Sequence, residues 1–109
     1  MVPKRYNIHW VTLDSGRGSE LRKTRPAVIV SLDVLNRALE TVVVCPLTTQ
    51  LHSAWRSRVP VKIADKPAEI AADQIRAISK GRLGKKIGAL SARDAAALRR
   101  LLDEMYADS

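Results

Sequence analysis

The stretch GKKIGALSARDAAALRRLLDEM, residues 84–105, contains the change of periodicity that decides the fold. Residues 84–89 are typical of a short β-strand, whereas the apolar residues after Ser91 recur at the spacing of an α-helix. Ser91 is a candidate N-cap, and Asp94 stands where a capping box has its acidic partner. The apolar stripe consists of Leu98, Leu101, Leu102 and Met105. This pattern predicts an amphipathic helix of about four turns that covers a sheet or the end of a barrel.

The chain before this helix favours short β-strands. The predicted strands are 6–13, 25–31, 41–47, 58–63, one or two within 68–78, and 84–89. Segment 41–47 is strongly β-branched and is expected to be buried on both faces. A short helical turn is predicted at 33–39, and polar loops at 14–24 and 48–57. Five to seven strands and one helix predict a mainly β protein with minor α: a small SH3-like antiparallel barrel in a single domain, 1–109.

The composition indicates a folded, basic protein. The 109 residues are 46% hydrophobic, which allows a core and argues against global disorder. Nineteen Lys and Arg residues against eleven Asp and Glu give a net charge of +8, which attracts polyanions such as nucleic acid, although an acidic protein fits equally well. No apolar run approaches the ~20 residues that span a bilayer, and the N-terminus lacks the apolar core of a signal peptide. We therefore expect a cytoplasmic protein without membrane contact.

Several classes of catalytic site are poorly supported by the sequence. There is no phosphate-binding loop of the Walker type, no dinucleotide fingerprint and no Gly-x-Ser-x-Gly elbow. The lone Cys45 can form neither an internal disulfide nor, by itself, a zinc site, and is expected to be a small buried side chain. His9 and His52 lack metal-ligand spacing, and His9 is expected to have a structural role. We predict neither a cofactor nor a metal.

Arginine, threonine, glutamine and carboxylate residues at strand ends suit one reaction. RNA can be cleaved without a metal when its own 2′-hydroxyl attacks the phosphate, which leaves a 2′,3′-cyclic phosphate and a 5′-hydroxyl. Such a site needs a proton acceptor for the 2′-hydroxyl, a donor for the leaving oxygen and positive charge for the transition state. Arginine meets the last need because its fork matches phosphate oxygens and stays charged.

Several motifs, in order, resemble the MazF/PemK family of toxins, the mRNA interferases of type II toxin–antitoxin systems. They are Gly18-Ser19-Glu20, Arg25-Pro26-Ala27-Val28-Ile29-Val30-Ser31, Asn36-Arg37, Pro46-Leu47-Thr48-Thr49, Asp73-Gln74-Ile75-Arg76-Ala77-Ile78 and Arg82-Leu83-Gly84. The resemblance covers most of the chain. It implies a barrel of the CcdB/MazF type, a homodimer with an RNA groove along its interface, and an antitoxin that occupies this groove. The implied activity is sequence-selective cleavage of single-stranded RNA.

The resemblance also implies roles for particular residues. Arg25 and Thr48 match the catalytic arginine and threonine of the family, and Glu20 and Asp73 match acidic residues that some members use. We leave the general base open between these two carboxylates. Asp73 could instead pair with Arg25 or Arg76 and serve only structure. Candidate RNA-binding residues are Arg17, Arg22, Lys23, Thr49, Gln50, Trp55, Arg56, Gln74 and Arg76.

Two other functions remain open at the level of sequence. A toxin of the CcdB type shares the fold but inhibits a protein such as DNA gyrase, and it would not need the Arg25 and Thr48 pair. An inactive barrel would bind RNA with a steep salt dependence and never cut it. The loop at 48–57 has two interpretations as well, since Trp55 is either a platform for a base or an incidental surface residue.

Overall fold

The computed structural model of the protein describes residues 2–13 and 23–107, and of Lys23 the backbone only. Within these residues the chain forms seven strands and two α-helices. They are β1 (Asn7–Leu13), β2 (Lys23–Ile29), α1 (Asp33–Ala38), β3 (Thr41–Thr48), β4 (Arg58–Ile63), β5 (Lys66–Ala71), β6 (Arg76–Ser79), β7 (Leu83–Ala89) and α2 (Ala92–Tyr106). Single 3₁₀ turns at Ala72–Gln74 and Lys80–Arg82 flank β6. No helix in this part of the chain is long and apolar enough to cross a membrane.

The strands pair antiparallel in the order β4-β5-β3-β2-β1-β7. Strand β3 is central: β2 lies along one edge, while β6 pairs with the first half of the other edge and β5 with its end. The predicted mainly β architecture with one C-terminal helix is therefore confirmed. The predicted region 68–78 consists of two strands separated by a 3₁₀ turn, because β3 changes partner there.

Apolar side chains of β3 pack on both faces of the sheet, as the sequence predicts. Cys45 and Leu47 belong to the larger core cluster, which lies beneath α2. Val42 and Val44 belong to a smaller cluster on the opposite face, together with Ala27 and Ile29 of β2, Val11 of β1 and Ile78 of β6. Burial, followed by the nearby charge of Asp73, raises the pKa of the Cys45 thiol to about 12. The thiol is therefore structural, as predicted.

Helix α2 begins and packs as its sequence predicts. The Oγ of Ser91 accepts a hydrogen bond of 3.1 Å from the backbone N–H of Asp94, which confirms the N-cap. Leu98 and Leu101 are buried in the larger cluster, and Leu102 and Met105 pack against it. Full burial of one such side chain contributes about 1.5–3 kcal/mol. The helix thus covers one face of the sheet.

One detail of β2 differs from the predictions, whereas His9 in β1 has the structural position that was expected. Strand β2 begins at Lys23, so Pro26 lies inside it. Its missing amide hydrogen is tolerated because the pairing with β3 begins only at Ala27. His9 is buried, and its Nδ1–H donates to the carbonyl oxygen of Gly84 at 2.9 Å. Its neighbour Trp10 stays largely exposed.

Candidate active site

The register of β2 and β3 leads towards Arg25 and Thr48, which line one pocket just beyond its last pair. The paired residues are Ala27 with Pro46, Val28 with Cys45 and Ile29 with Val44. Two further steps along the same register set Arg25 against Thr48. The ladder does not reach them, since Pro26 has no amide hydrogen to donate. The two strands separate instead, and the space between them is open.

The two side chains also share a face of the sheet. Side chains alternate along a strand, so Arg25 lies on the face of Ala27, and Thr48 lies on the face of Val44. This is the face opposite α2. Both residues are half-buried and line one pocket of about 300 Å³. The remaining lining residues in the described part of the chain are Pro26, Leu47, Thr49, Gln50 and Ile63. The structure therefore brings the predicted guanidinium and hydroxyl to one site.

The immediate partners of these groups suit phosphate binding. The Oγ1 of Thr48 accepts a hydrogen bond of 3.1 Å from the backbone N–H of Gln50, which fixes the oxygen and leaves its own hydrogen to donate. Within residues 2–13 and 23–107, Arg25 forms no ion pair, so its charge is not neutralised by a described carboxylate. The pocket thus combines a cation and a hydroxyl donor in a half-buried setting.

Asp73 is engaged elsewhere. Its Oδ1 accepts hydrogen bonds from Nε of Arg58 at 2.9 Å and from Oγ of Ser57 at 3.0 Å, and Asp73 is not among the described residues that line the pocket. Burial, the largest single influence, raises the pKa of Asp73, but the hydrogen bonds and charge of its partners outweigh it, and the pKa lies below its ordinary value. The anticipated pairing with Arg25 or Arg76 is corrected to pairing with Arg58. A carboxylate held in this way is a poor proton acceptor.

Sequence reasoning missed a second carboxylate near the pocket. Glu69 is only 3% exposed and pairs in register with Thr48 across β5 and β3. Its Oε1 accepts hydrogen bonds from Nη1 of Arg58 at 3.4 Å and from the backbone N–H of His52 at 2.9 Å. The available signal was a glutamate inside the apolar run of 68–72, since a carboxylate is almost never buried without a partner.

The loop that contains Trp55 is built around the same arginine. The Trp55 ring stacks on His52 with centroids 3.9 Å apart and planes 9° from parallel, and the guanidinium of Arg58 lies 4.7 Å from its centroid. Trp55 is still 48% exposed. Its predicted role as a platform for an RNA base stays a prediction, and such a base would have to share the ring with His52 and Arg58.

The remaining predicted RNA contacts fall into two groups. Thr49, Gln50, Arg56, Gln74 and Arg76 are exposed on the described surface. Arg76 pairs with Val44 and alternates with Ile78, so it lies on the same face as Arg25. Arg17, Glu20, Arg22 and the side chain of Lys23 lie outside the described residues. In the part of the chain that the structure describes, no group of three or more His, Cys, Asp or Glu side chains is arranged to hold a metal ion.

Comparison with known proteins gives the family. Residues 4–106 match the family model described as PemK-like, MazF-like toxin of type II toxin–antitoxin system. The chain is 33% identical over 104 residues to endoribonuclease MazF9 of Mycobacterium tuberculosis, covering 87% of this chain and 88% of that protein. It is 30% identical over 95 residues to endoribonuclease EndoA of Bacillus subtilis, covering 80% and 79%.

Solved structures agree with this relationship. The Mycobacterium tuberculosis toxin MazF-mt6 superposes with a TM-score of 0.75 at 29% identity, covering 90% of this chain and 93% of that one. The MazE–MazF structure from Deinococcus radiodurans (Form-III) superposes with a TM-score of 0.83 over 100% of both chains, and at 19% identity it supports the fold alone. The chain therefore belongs to the PemK-like, MazF-like toxins of type II toxin–antitoxin systems.

Proposed function

We propose that this toxin is a sequence-selective endoribonuclease that cleaves single-stranded RNA, with mRNA as its target, by attack of the 2′-hydroxyl on the adjacent phosphate. The observation that carries the proposal is the meeting of Arg25 and Thr48 in one pocket where β2 and β3 separate. The relatives MazF9 and EndoA are named endoribonucleases, which supports the same activity here. The products are a 2′,3′-cyclic phosphate and a 5′-hydroxyl.

Two side chains of the pocket and one further carboxylate have tasks in this mechanism. Arg25 binds the non-bridging oxygens of the phosphate, stabilises the charge that grows in the transition state and donates a proton to the leaving 5′-oxygen. Thr48 donates its hydroxyl hydrogen to the same phosphate and holds it against the guanidinium. Because Asp73 is held by Arg58, we assign the proton-acceptor role to Glu20, the other predicted carboxylate. The variant Glu20→Gln would remove the proton acceptor and therefore tests this assignment.

The assembly follows from the same proposal. We propose a homodimer whose groove holds the RNA, located in the cytoplasm with its substrate and inhibited there by a cognate antitoxin. One mycobacterial relative of known structure is an endoribonuclease in complex with its cognate antitoxin, at 25% identity and a TM-score of 0.73. The net charge of +8 suits both the RNA backbone and an acidic inhibitor.

The pocket assignment is tested by two variants with matched controls. Arg25→Ala and Thr48→Ala each remove one functional group, whereas Arg37→Ala and Thr41→Ala remove the same groups from exposed positions outside the pocket. On a long transcript in EDTA, we expect Arg25→Ala to cleave about 100-fold more slowly or worse, as for loss of a transition-state donor, and Thr48→Ala to cleave at least ~10-fold more slowly. The two controls should cleave at the wild-type rate.

Retention of the wild-type rate by Arg25→Ala would remove the site assignment. Intact RNA with the wild-type protein, together with inhibition of DNA supercoiling, would favour a CcdB-like inhibitor instead. Thermal unfolding of all four variants checks that differences in rate do not come from loss of the fold.

A further inference from the structure

We infer that Glu69 is a positioning residue that shapes the wall of the RNA pocket and thereby determines which nucleotide is accepted beside the scissile phosphate. This inference rests on the proposed nuclease function and deepens it. The observation behind it is that one residue holds both ends of a short segment. Glu69 pairs with Thr48 in the sheet, and its side chain binds the backbone of His52.

The segment between the two attachments bends at Thr49 and Gln50. The backbone N–H of Gln50 donates to the Oγ1 of Thr48, and Glu69 holds the chain on both sides of this bend. The turned segment contributes Thr49 and Gln50 to the pocket lining. Removal of the Glu69 side chain would release one end of this wall and leave the other end in the sheet.

The anchor depends on Arg58, because a buried carboxylate is unfavourable without a partner. The Arg58 side chain is 5% exposed and binds Glu69 through Nη1 and Asp73 through Nε. Asp73 thus fixes the guanidinium, and the guanidinium neutralises Glu69. The structural role that the sequence left open for Asp73 is to support this arrangement.

Trp55 holds the loop from its other side. Its backbone N–H donates to the carbonyl oxygen of His52 at 2.8 Å, and its ring lies against both the His52 ring and the Arg58 guanidinium. The backbone amide of His52 is therefore held by Glu69 while its ring is held by Trp55. A loop fixed at both points presents a wall of one shape to the RNA, which is the condition for discriminating between bases.

The matched variants are Glu69→Ala and Glu69→Gln. A single oxygen of Glu69 accepts both hydrogen bonds, so the amide oxygen of glutamine can replace it, whereas alanine cannot. For a short fluorescent RNA that contains the preferred site of the wild type, we expect Glu69→Ala to raise KM about tenfold, with kcat within about threefold of wild type. The cleavage preference on a randomised RNA library should broaden. Glu69→Gln should restore both KM and preference, and Glu40→Ala, which removes an exposed carboxylate, should change neither.

The outcomes separate this inference from the function beneath it. If the wild type cleaves and Glu69→Ala keeps the same KM and preference, the positioning role is wrong and the nuclease stands. If Glu69→Gln behaves like Glu69→Ala, the hydrogen-bond acceptor is not what positions the wall, and the inference is overturned. A wild type that cleaves no RNA overturns the function and the inference together. Should Glu69→Ala fail to fold, the double variant Arg58→Leu with Glu69→Val replaces the buried pair by apolar side chains and removes the same anchor. We expect the same rise in KM and the same broadened preference from it.

Discussion

Arg25 and Thr48 owe their proximity to two ordinary properties of β-strands. The first is register, which sets residue 25 across from residue 48, and the second is alternation, which sends both side chains to the face opposite α2. Neither property requires the two residues to bond each other. Among the described residues no carboxylate pairs with the guanidinium of Arg25, and a guanidinium without such a partner has more charge to offer a phosphate.

Asp73 gives a prediction at the same scale that concerns stability. Its pKa lies below the ordinary value of 3.8, so the ionised form contributes stability above that pH, and the contribution is lost as the pH falls through the pKa of the folded state. We expect Asp73→Asn to lower the free energy of unfolding by about 1 kcal/mol at pH 7, with the difference shrinking below about pH 4. Urea unfolding of both proteins at pH 7 and pH 3 measures this difference.

The control for that experiment is the variant Asp65→Asn. Asp65 is exposed in the β4–β5 turn, and its φ of 66° is a conformation that asparagine also tolerates. This change should have little effect at either pH. An equal loss of stability for Asp73→Asn at pH 7 and pH 3 would contradict the ion pair with Arg58.

Single residues were predictable from the sequence where local pattern decides their position. The N-cap at Ser91 and the buried Cys45 depend on neighbours in the chain, and both predictions are confirmed. The pairing of Asp73 with Arg58 and the burial of Glu69 depend on which strands become neighbours. Local sequence contains little of that information, which is why the Glu69 anchor was missed and Asp73 was matched to other arginines.

At the level of elements, the strands and helices were predictable to within a few residues because their periodicities differ so clearly. The divergence of β2 and β3 was not predictable from the sequence, since it depends on where the hydrogen-bonded ladder between them stops. Pro26 gave a partial signal, because it cannot donate to a neighbouring strand. The exact partner of each half of β3 also had to come from the structure, since β5 and β6 are both short.

Helix α2 provides the prediction for this scale. Leu98 lies on the inner side of the helix, where it is completely buried as part of the larger cluster. We expect Leu98→Ala to lower the free energy of unfolding by about 2–5 kcal/mol, because it removes buried methyl groups and leaves a cavity. Glu104→Ala, on the exposed side of the same helix, should change it by less than about 0.5 kcal/mol. Chemical denaturation measures both, and a similar small effect for the two variants would contradict the packing of α2 on the sheet.

In the molecule as a whole, the two faces of the sheet have different surroundings. One face is covered by α2 and provides most of the core, while the opposite face has a small apolar cluster with Arg25, Thr48 and Arg76 around it. A strongly basic chain with a charged pocket where β2 and β3 separate is suited to an extended polyanion. The fold class and the meeting of Arg25 and Thr48 in one pocket were therefore accessible from sequence, and the Glu69 anchor of the loop at 48–57 was not.

The most direct measurement of the central claim uses an RNA oligonucleotide with a single 2′-deoxy substitution at the nucleotide before the cut. In EDTA, the unmodified RNA should give a 2′,3′-cyclic phosphate and a 5′-hydroxyl with the wild-type protein, and far less product with Arg25→Ala. The substituted RNA should bind and remain intact, because it lacks the nucleophile. Cleavage of the substituted RNA at the same position, or products that end in a 3′-hydroxyl and a 5′-phosphate, would contradict the mechanism.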